Sequence, residues 1–348
     1  MKNMALGTVA ACLLLALLSG CARSKFNGPL FTDHKELGSS REFRMYPVIA
    51  DMNYDGVPDL VATHRRPLSE NSLRIFLGGQ EQSYSELVQN WSSPGYSALG
   101  IGDVNNDGKN DLVAASHFNK FHTYLSFDGN TFQKEIINAS HDGYIRAQLV
   151  DLEGDGSVEA VLLGNERAGV QIFDWDGDRG WRLRATLMDG RIGRDMKIVD
   201  MNRDGRLDIV VSYFRDGVII FLQEAGGGWT VAPPTNFYSE NGDFRSLVVA
   251  DFNRDGNNDI ALNGSFSGVL KPSGPDVYLS DGKGGWISDS EGLKVFKRPA
   301  DGITAGDLNG DGVPEILAGG NITNKMDQNA YGLFAFARTP EGRWELID

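Results

Sequence analysis

Six short acidic stretches carry most of the side chains able to do chemistry in this sequence of 348 residues. They read DMNYDGVPDL from Asp51, DVNNDGKNDL from Asp103, DLEGDGSVEA from Asp151, DMNRDGRLDI from Asp200, DFNRDGNNDI from Asp251 and DLNGDGVPEI from Asp307. Positions 1, 3 and 5 offer oxygen donors: Asp51, Asn53 and Asp55; Asp103, Asn105 and Asp107; Asp151, Glu153 and Asp155; Asp200, Asn202 and Asp204; Asp251, Asn253 and Asp255; Asp307, Asn309 and Asp311. Position 9 supplies a further expected metal ligand, acidic each time, as Asp59, Asp111, Glu159, Asp208, Asp259 and Glu315. Calcium is a hard cation that takes about six to eight oxygen ligands, and Gly at position 6 permits the sharp turn that gathers them. Carboxylates held this close repel one another unless a divalent ion offsets them. Six such ions, one per loop, would offset twelve of the formal net fourteen negative charges. The third loop, with Glu153 and Gly154, departs most from the pattern. The alternative is a set of metal-free turns, since Asp and Asn side chains also stabilise turns by themselves.

An EF-hand loop begins alike but ends in a bidentate Glu at position 12 between two helices. Here position 12 is Ala62, Ala114, Leu162, Val211, Leu262 and Ala318, all apolar. The loops must therefore be carried by strands. Apolar runs of strand length precede them, as at Tyr46 to Ala50, Ala147 to Val150 and Leu247 to Ala250, and others follow, as at Leu60 to Ala62 and Ile209 to Val211. These runs are almost continuous, as expected for strands covered on both faces. A third run follows (Ser72 to Leu77, Gly169 to Phe173, Gly217 to Leu222, Asp276 to Leu279), then turns such as Asp128-Gly129 and Asp281-Gly282. Asp-Gly favours tight hairpins. Amphipathic stretches opened by Trp181, Trp229, Trp286 and Trp344 supply a fourth strand.

The loops start 52, 48, 49, 51 and 56 residues apart, the length of one four-stranded propeller blade. The expected fold is all-β: one propeller over residues 45–348, six blades of four antiparallel strands, with the metal loops between first and second strands. Residues 21–44 are expected to be a tether, and Asn27 to Ser40 within them a possible ring-closing strand; a seventh blade built with that segment is the alternative. Closure would remove exposed sheet edges.

Residues 1–20 read as an export signal, with Lys2 at its start and an apolar stretch from Ala10 to Leu18 too short to span a bilayer. Leu18-Ser19-Gly20-Cys21 resembles the lipobox of bacterial lipoproteins, which implies lipid on Cys21 and anchoring to the cell envelope, the outer membrane being the expected membrane. Cleavage before Cys21 would leave one cysteine, with no disulfide to form. The net charge of −14 argues against a nucleic-acid partner, whose binding needs clustered Lys and Arg.

The six loops with their flanking strands resemble FG-GAP and VCBS-type repeats, including those of the integrin α-subunit propeller. The resemblance covers about residues 45–348 and implies calcium in the loops. Its members bind ligands, adhere or carry enzymatic sites, so fold is fixed better than function.

In such a blade the acidic loops share a face with the Asp-Gly hairpins. The opposite face should gather His64, Arg65, His117, Arg167, Tyr213 and Arg215 from second-to-third-strand loops, and Arg146, Arg194 and Arg245 from blade connections. Arginines among aromatics suit a carboxylated glycan or an acidic segment of an envelope protein. The leading expectation is a binding or scaffold module. A lyase-like polysaccharide enzyme, with its base among His64, His117, Tyr144 and Tyr213, and a structural subunit of an envelope complex are the alternatives. Gly264-Ser265-Phe266-Ser267-Gly268 has the form of a nucleophile elbow, but Pro272 and Pro275 leave no room for the helix that must follow. His117 and His122 lack a third ligand for zinc.

Overall fold

Each repeat meets the same demand: its apolar runs must be buried and every backbone polar group inside must be paired. A computed structural model shows how. It describes residues 43, 47–64, 73–79, 83–89, 98–117, 120–126, 128–139, 143–235, 242–265, 274–294, 296–321 and 331–347. The expected export signal (residues 1–20), Cys21 and the segment Asn27 to Ser40 lie outside the described residues, as does Arg65.

The first blade is β1 (Val48–Ala50), β2 (Asp59–Thr63), β3 (Leu73–Gly78) and β4 (Tyr84–Leu87). The second is β5 (Ala98–Gly102), β6 (Asp111–Ala115), β7 (Lys120–Ser126) and β8 (Phe132–Ala139). The third is β9 (Tyr144–Val150), β10 (Glu159–Gly164), β11 (Val170–Trp175) and β12 (Trp181–Leu187). The fourth is β13 (Gly193–Val199), β14 (Asp208–Tyr213), β15 (Gly217–Gln223) and β16 (Trp229–Val231). The fifth is β17 (Asp243–Ala250), β18 (Asp259–Ser265), β19 (Asp276–Ser280) and β20 (Trp286–Ser288), and the sixth is β21 (Arg298–Gly306), β22 (Glu315–Asn321), β23 (Tyr331–Arg338) and β24 (Trp344–Leu346). Each is an antiparallel sheet in sequence order, and together they make a six-bladed propeller. Among the described residues the only helical segment is one 3₁₀ turn at Gly177–Arg179, and no helix is long and apolar enough to cross a membrane. The four tryptophans expected to open outer strands do so in blades three to six.

Second strands are the most enclosed: β6, β10 and β14 are buried at every residue, which explains their unbroken apolar sequence. Five apolar clusters join consecutive blades, from the first pair to the fifth and sixth. The residue at loop position 2 plugs the core shared with the next blade, as Met52, Val104, Leu152 and Phe252 do. Leu308, its counterpart in the sixth loop, is 53% exposed. In the first blade Phe43 pairs with His64 and sets its ring 6.0 Å from Phe76, so contact with that blade begins just before residue 45.

Innermost strands of successive blades meet side by side and are tied by charge at the ends away from the acidic loops. Arg146 Nε donates to Asp195 Oδ1 at 2.6 Å, and Arg194 Nε to Asp243 Oδ1 at 2.6 Å, each link reaching the following blade. Asp195 also accepts from Leu247 N at 2.9 Å and Ser246 Oγ at 3.2 Å, so one carboxylate spans three blades. Arg245 donates to the second oxygen of Asp243 at 2.8 Å. Arg194 and Arg245 are the extra residues of β-bulges in β13 and β17. Bulges re-aim a side chain out of the ladder, and here they aim arginines at carboxylates.

Burial pushes the Asp195 carboxyl up, but Arg146, Lys197 and the Leu247 N–H outweigh it and hold it below the ordinary range. A depressed carboxyl contributes stability above its unfolded value of about 4 and loses it as pH falls through the folded value. Asp195→Ala strands Arg146 and should cost about 3 kcal/mol at neutral pH. Urea titrations should also show a shallower loss of stability below pH ~4 for the variant than for the wild type. Equal acid limbs would contradict the assignment.

Candidate functional site

The acidic loops are built on one backbone template that their own carboxylates hold in place. In the first loop Asp51 Oδ2 accepts from Gly56 N at 2.9 Å and Oδ1 from Asp55 N at 3.2 Å, while Asp55 Oδ1 accepts from Val57 N at 2.8 Å. The bond from the position 6 glycine to the first Asp recurs at 2.7–2.9 Å in all six loops. Position 4 takes a left-handed φ, at +61° for Tyr54, +57° for Asn106, +61° for Arg203 and +59° for Arg254. Glycine fills the same place in loops three and six, as Gly154 and Gly310.

Position 9 does what sequence did not reveal. All six acids are buried, none more than 4% exposed. In four blades the carboxylate accepts two backbone N–H groups, one from loop position 2 and one from the end of the third strand. Asp59 takes Met52 N and Gly78 N, both at 2.7 Å; Asp111 takes Val104 N at 3.0 Å and Ser126 N at 2.7 Å. Asp208 takes Met201 N at 2.8 Å and Gln223 N at 2.9 Å, and Asp259 takes Phe252 N at 2.9 Å and Ser280 N at 2.8 Å. The two glutamates bond the loop likewise, from Leu152 N at 2.9 Å and Leu308 N at 2.6 Å, and turn the other oxygen toward a side chain, Arg184 or Asn309.

Burial pushes Asp111 and Asp259 up to about 6 and Asp208 in the same direction; the two N–H bonds oppose this and the loop's other carboxylates add to it. Glu159 is pushed up to about 7, again mainly by burial. Among the described residues no three His, Cys, Asp or Glu side chains gather closely enough to hold a metal alone. The donor set of a loop is mixed: carboxylates at positions 1 and 5, the amide at position 3 and backbone carbonyls. In loops one, two, four and five the Asn amide donates to Asp at position 5, at 2.9–3.4 Å. Asp251 Oδ1 is buried with no hydrogen-bond donor. A buried acceptor left over in an all-oxygen loop fits a hard divalent cation, which would supply the missing positive charge. Asp251, Asn253 and Asp255 would hold it, and the same positions would do so in loops one, two, four and six.

Neighbouring loops are linked. Asn110 Nδ2 donates to Asp51 O at 3.0 Å and Asn258 Nδ2 to Asp200 O at 2.8 Å, position 8 of one loop to position 1 of the loop before. Tyr54 Oη accepts from Asn110 N, and Arg254 lies 3.7 Å from Asp311.

On the opposite side the expected ligand face is partly dismantled. Tyr213 is fully buried in the core between blades three and four, and burial pushes its phenol up. Arg146 and Arg194 serve the ion pairs between blades, and Arg245 pairs within its own strand with Asp243, the carboxylate that Arg194 reaches. Tyr144 is fully buried with its hydroxyl on Gln171. His117 sits on the β6–β7 turn, 2.9 Å from Asn165 Nδ2, whereas His122 is buried in β7. His64 is half-buried at the end of β2. Arg167 and Arg215 are exposed, on the β10–β11 and β14–β15 turns. Phe214 is in cation–π contact with two guanidiniums, Arg194 at 4.9 Å and Arg215 at 4.8 Å from its centroid. Ser265 ends β18 within a sheet, not at a strand-to-helix turn.

Fold and loops define a propeller whose blades each carry an acidic loop between first and second strands. The FG-GAP-like repeat family matches residues 51–114 and 200–262, two stretches that each begin at the first Asp of a loop. Integrin alpha-IIb of Homo sapiens is 28% identical over 225 residues, which are 53% of this chain and 21% of the integrin. The chain thus spans about a fifth of that relative's length. Over those stretches the chain is similar to FG-GAP-like repeats and to the integrin, and a six-bladed propeller of this kind fits a binding or scaffold module.

Two substitutions test the local account. Asp259→Ala leaves Phe252 N and Ser280 N without their acceptor and should cost about 3 kcal/mol by urea denaturation. Asn258→Ala removes only the link between loops and should cost about 1 kcal/mol.

Proposed function

We propose that this chain is a calcium-stabilised binding propeller, exported and held on a bacterial envelope by lipid on Cys21, whose face opposite the acidic loops receives a carboxylate-bearing glycan. The observation that carries the reading is the cluster of Arg194, Phe214 and Arg215 on that face, with the exposed Arg167 on the turn of the preceding blade. Arg194 is anchored by Asp243, which leaves Arg215 and Arg167 as the outward-facing charges. A guanidinium pairs with a carboxylate through a fixed fork of donors, and an aromatic face adds a platform for a sugar ring. An acidic segment of an envelope protein presents the same charge and is the competing outcome of the test.

The proposed role is binding rather than catalysis. Two residues that could supply a lyase base, Tyr144 and Tyr213, are enclosed in the core, and a base must reach the proton it takes. Many of the carboxylates are engaged in the loops by backbone N–H groups, which leaves them poorly placed to act on a ligand on the opposite face.

Calcium that binds the folded chain alone must add to its unfolding free energy, by about 2.7 kcal/mol for each site at a hundredfold excess over Kd, and so raise its melting temperature with concentration. Differential scanning calorimetry should show a rise of several degrees between chelator and millimolar calcium; no shift would contradict the metal reading. Arg167→Ala with Arg215→Ala should weaken binding to polygalacturonate at least about tenfold, as loss of two charge-assisted contacts implies, with the melting temperature unchanged. Undiminished binding, or capture of acidic peptide but no glycan, would overturn the ligand assignment.

A further inference from the structure

The third loop keeps the backbone template but changes what balances its charge. Gly154 N and Asp155 N donate to Asp151 Oδ1 at 2.7 and 3.0 Å, Gly156 N to Asp151 Oδ2 at 2.8 Å, and Ser157 N to Asp155 Oδ1 at 2.8 Å. Loop shape is therefore preserved. The side chain at position 3 behaves differently, because Glu153 has no amide to donate to Asp155. It faces the guanidinium of Arg184 instead, with Nη1 to Oε2 at 3.2 Å and Nη2 to Oε1 at 3.0 Å. Gln223 Nε2 of the next blade adds a bond to Oε1 at 3.3 Å.

The same guanidinium stands 3.8 Å from Glu159 Oε1 and 3.3 Å from Asp174 Oδ1. One fixed cation thus meets three carboxylates, two of them at positions 3 and 9 of the loop. The strand geometry puts it there. Ile172 pairs with Ala185 and Phe173 with Leu183, so Arg184 is the extra residue of a bulge in β12. Other loops have basic neighbours of another kind: Lys109 and Arg254 lie 3.5 and 3.7 Å from the position 5 carboxylates Asp107 and Asp311, and Arg206 bonds Asp204. Those are outer contacts to position 5, whereas Arg184 joins positions 3 and 9. A divalent ion placed among the same oxygens would meet a guanidinium already bonded to them, and like charges at that distance repel.

We infer that the third loop is closed by its own cation: Arg184 takes the charge-balancing role that calcium has in the other loops, so the chain holds five ions and its third blade keeps its loop without metal. This rests on the reading that the other five loops bind calcium. A cleft of about 510 Å³, lined by Asn106, Asp155, Glu159, Trp175 and Arg184, leaves a way in for an ion once the guanidinium is removed.

The test counts calcium on the full chain by calorimetric titration and by elemental analysis after dialysis, for the wild type, Arg184→Met, Arg184→Lys and the double variant Arg184→Met with Glu153→Asn. The double variant restores the amide found at position 3 elsewhere and covers the case in which Arg184→Met alone fails to fold. Five ions are expected for the wild type and for Arg184→Lys, and six for the Met variants, whose melting temperatures should depend more steeply on calcium. Six ions on the wild type, or no gain of one ion in a folded Met variant, would overturn the inference. A wild-type count of zero would sink the calcium reading of the other loops, while the difference between variant and wild type still decides the role of Arg184.

Discussion

A carboxylate buried at the first residue of every second strand is the constraint on which the acidic face depends. From that one position it fixes the amide of loop position 2 and, in four blades, the last amide of the third strand. The loop then cannot move without breaking the sheet beneath it. Burying a charge this deeply is costly, and the upward shifts of Asp111, Asp259 and Glu159 register that cost. Backbone N–H bonds meet part of it, and a positive charge in the loop would meet more. A divalent ion and a guanidinium are two ways of supplying that charge.

Much of this was readable in the residues. The acidic repeat located every loop, the spacing gave the blades, and the tryptophans marked where four outer strands begin, because those signals are local. What escaped was partnership across blades. Arg146 and Arg194 look like surface arginines when read along the chain, yet each finds a carboxylate 49 residues on. A signal existed: Arg146 and Arg194 stand near the start of innermost strands one repeat apart, and Asp195 and Asp243 do likewise. A charge recurring in a buried strand needs a partner at the repeat distance. The bulges that aim Arg184, Arg194 and Arg245 have no comparable local signature, since they follow from how two strands pair.

Tyr213 shows the same limit from the other side. Sequence placed it on the rim with Arg215, and the point at which β14 ends decides which residue turns inward. Tyr213 is the last residue of β14, a strand buried throughout, and so joins the core, whereas Phe214 and Arg215 emerge with their charges and ring outward. The two ends of the propeller consequently hold different chemistry. One end has oxygen donors on a rigid template, the other arginines around an aromatic ring, and the ion pairs of Asp195 and Asp243 join the blades beneath that second face.

Anomalous diffraction from crystals of the full chain soaked in terbium, which takes the place of calcium among oxygen ligands, tests the central claim most directly. A peak is predicted among the position 1, 3 and 5 side chains of loops one, two, four, five and six, with none beside Arg184. Loops without peaks, their carboxylates still bonded only to backbone amides, would contradict the account.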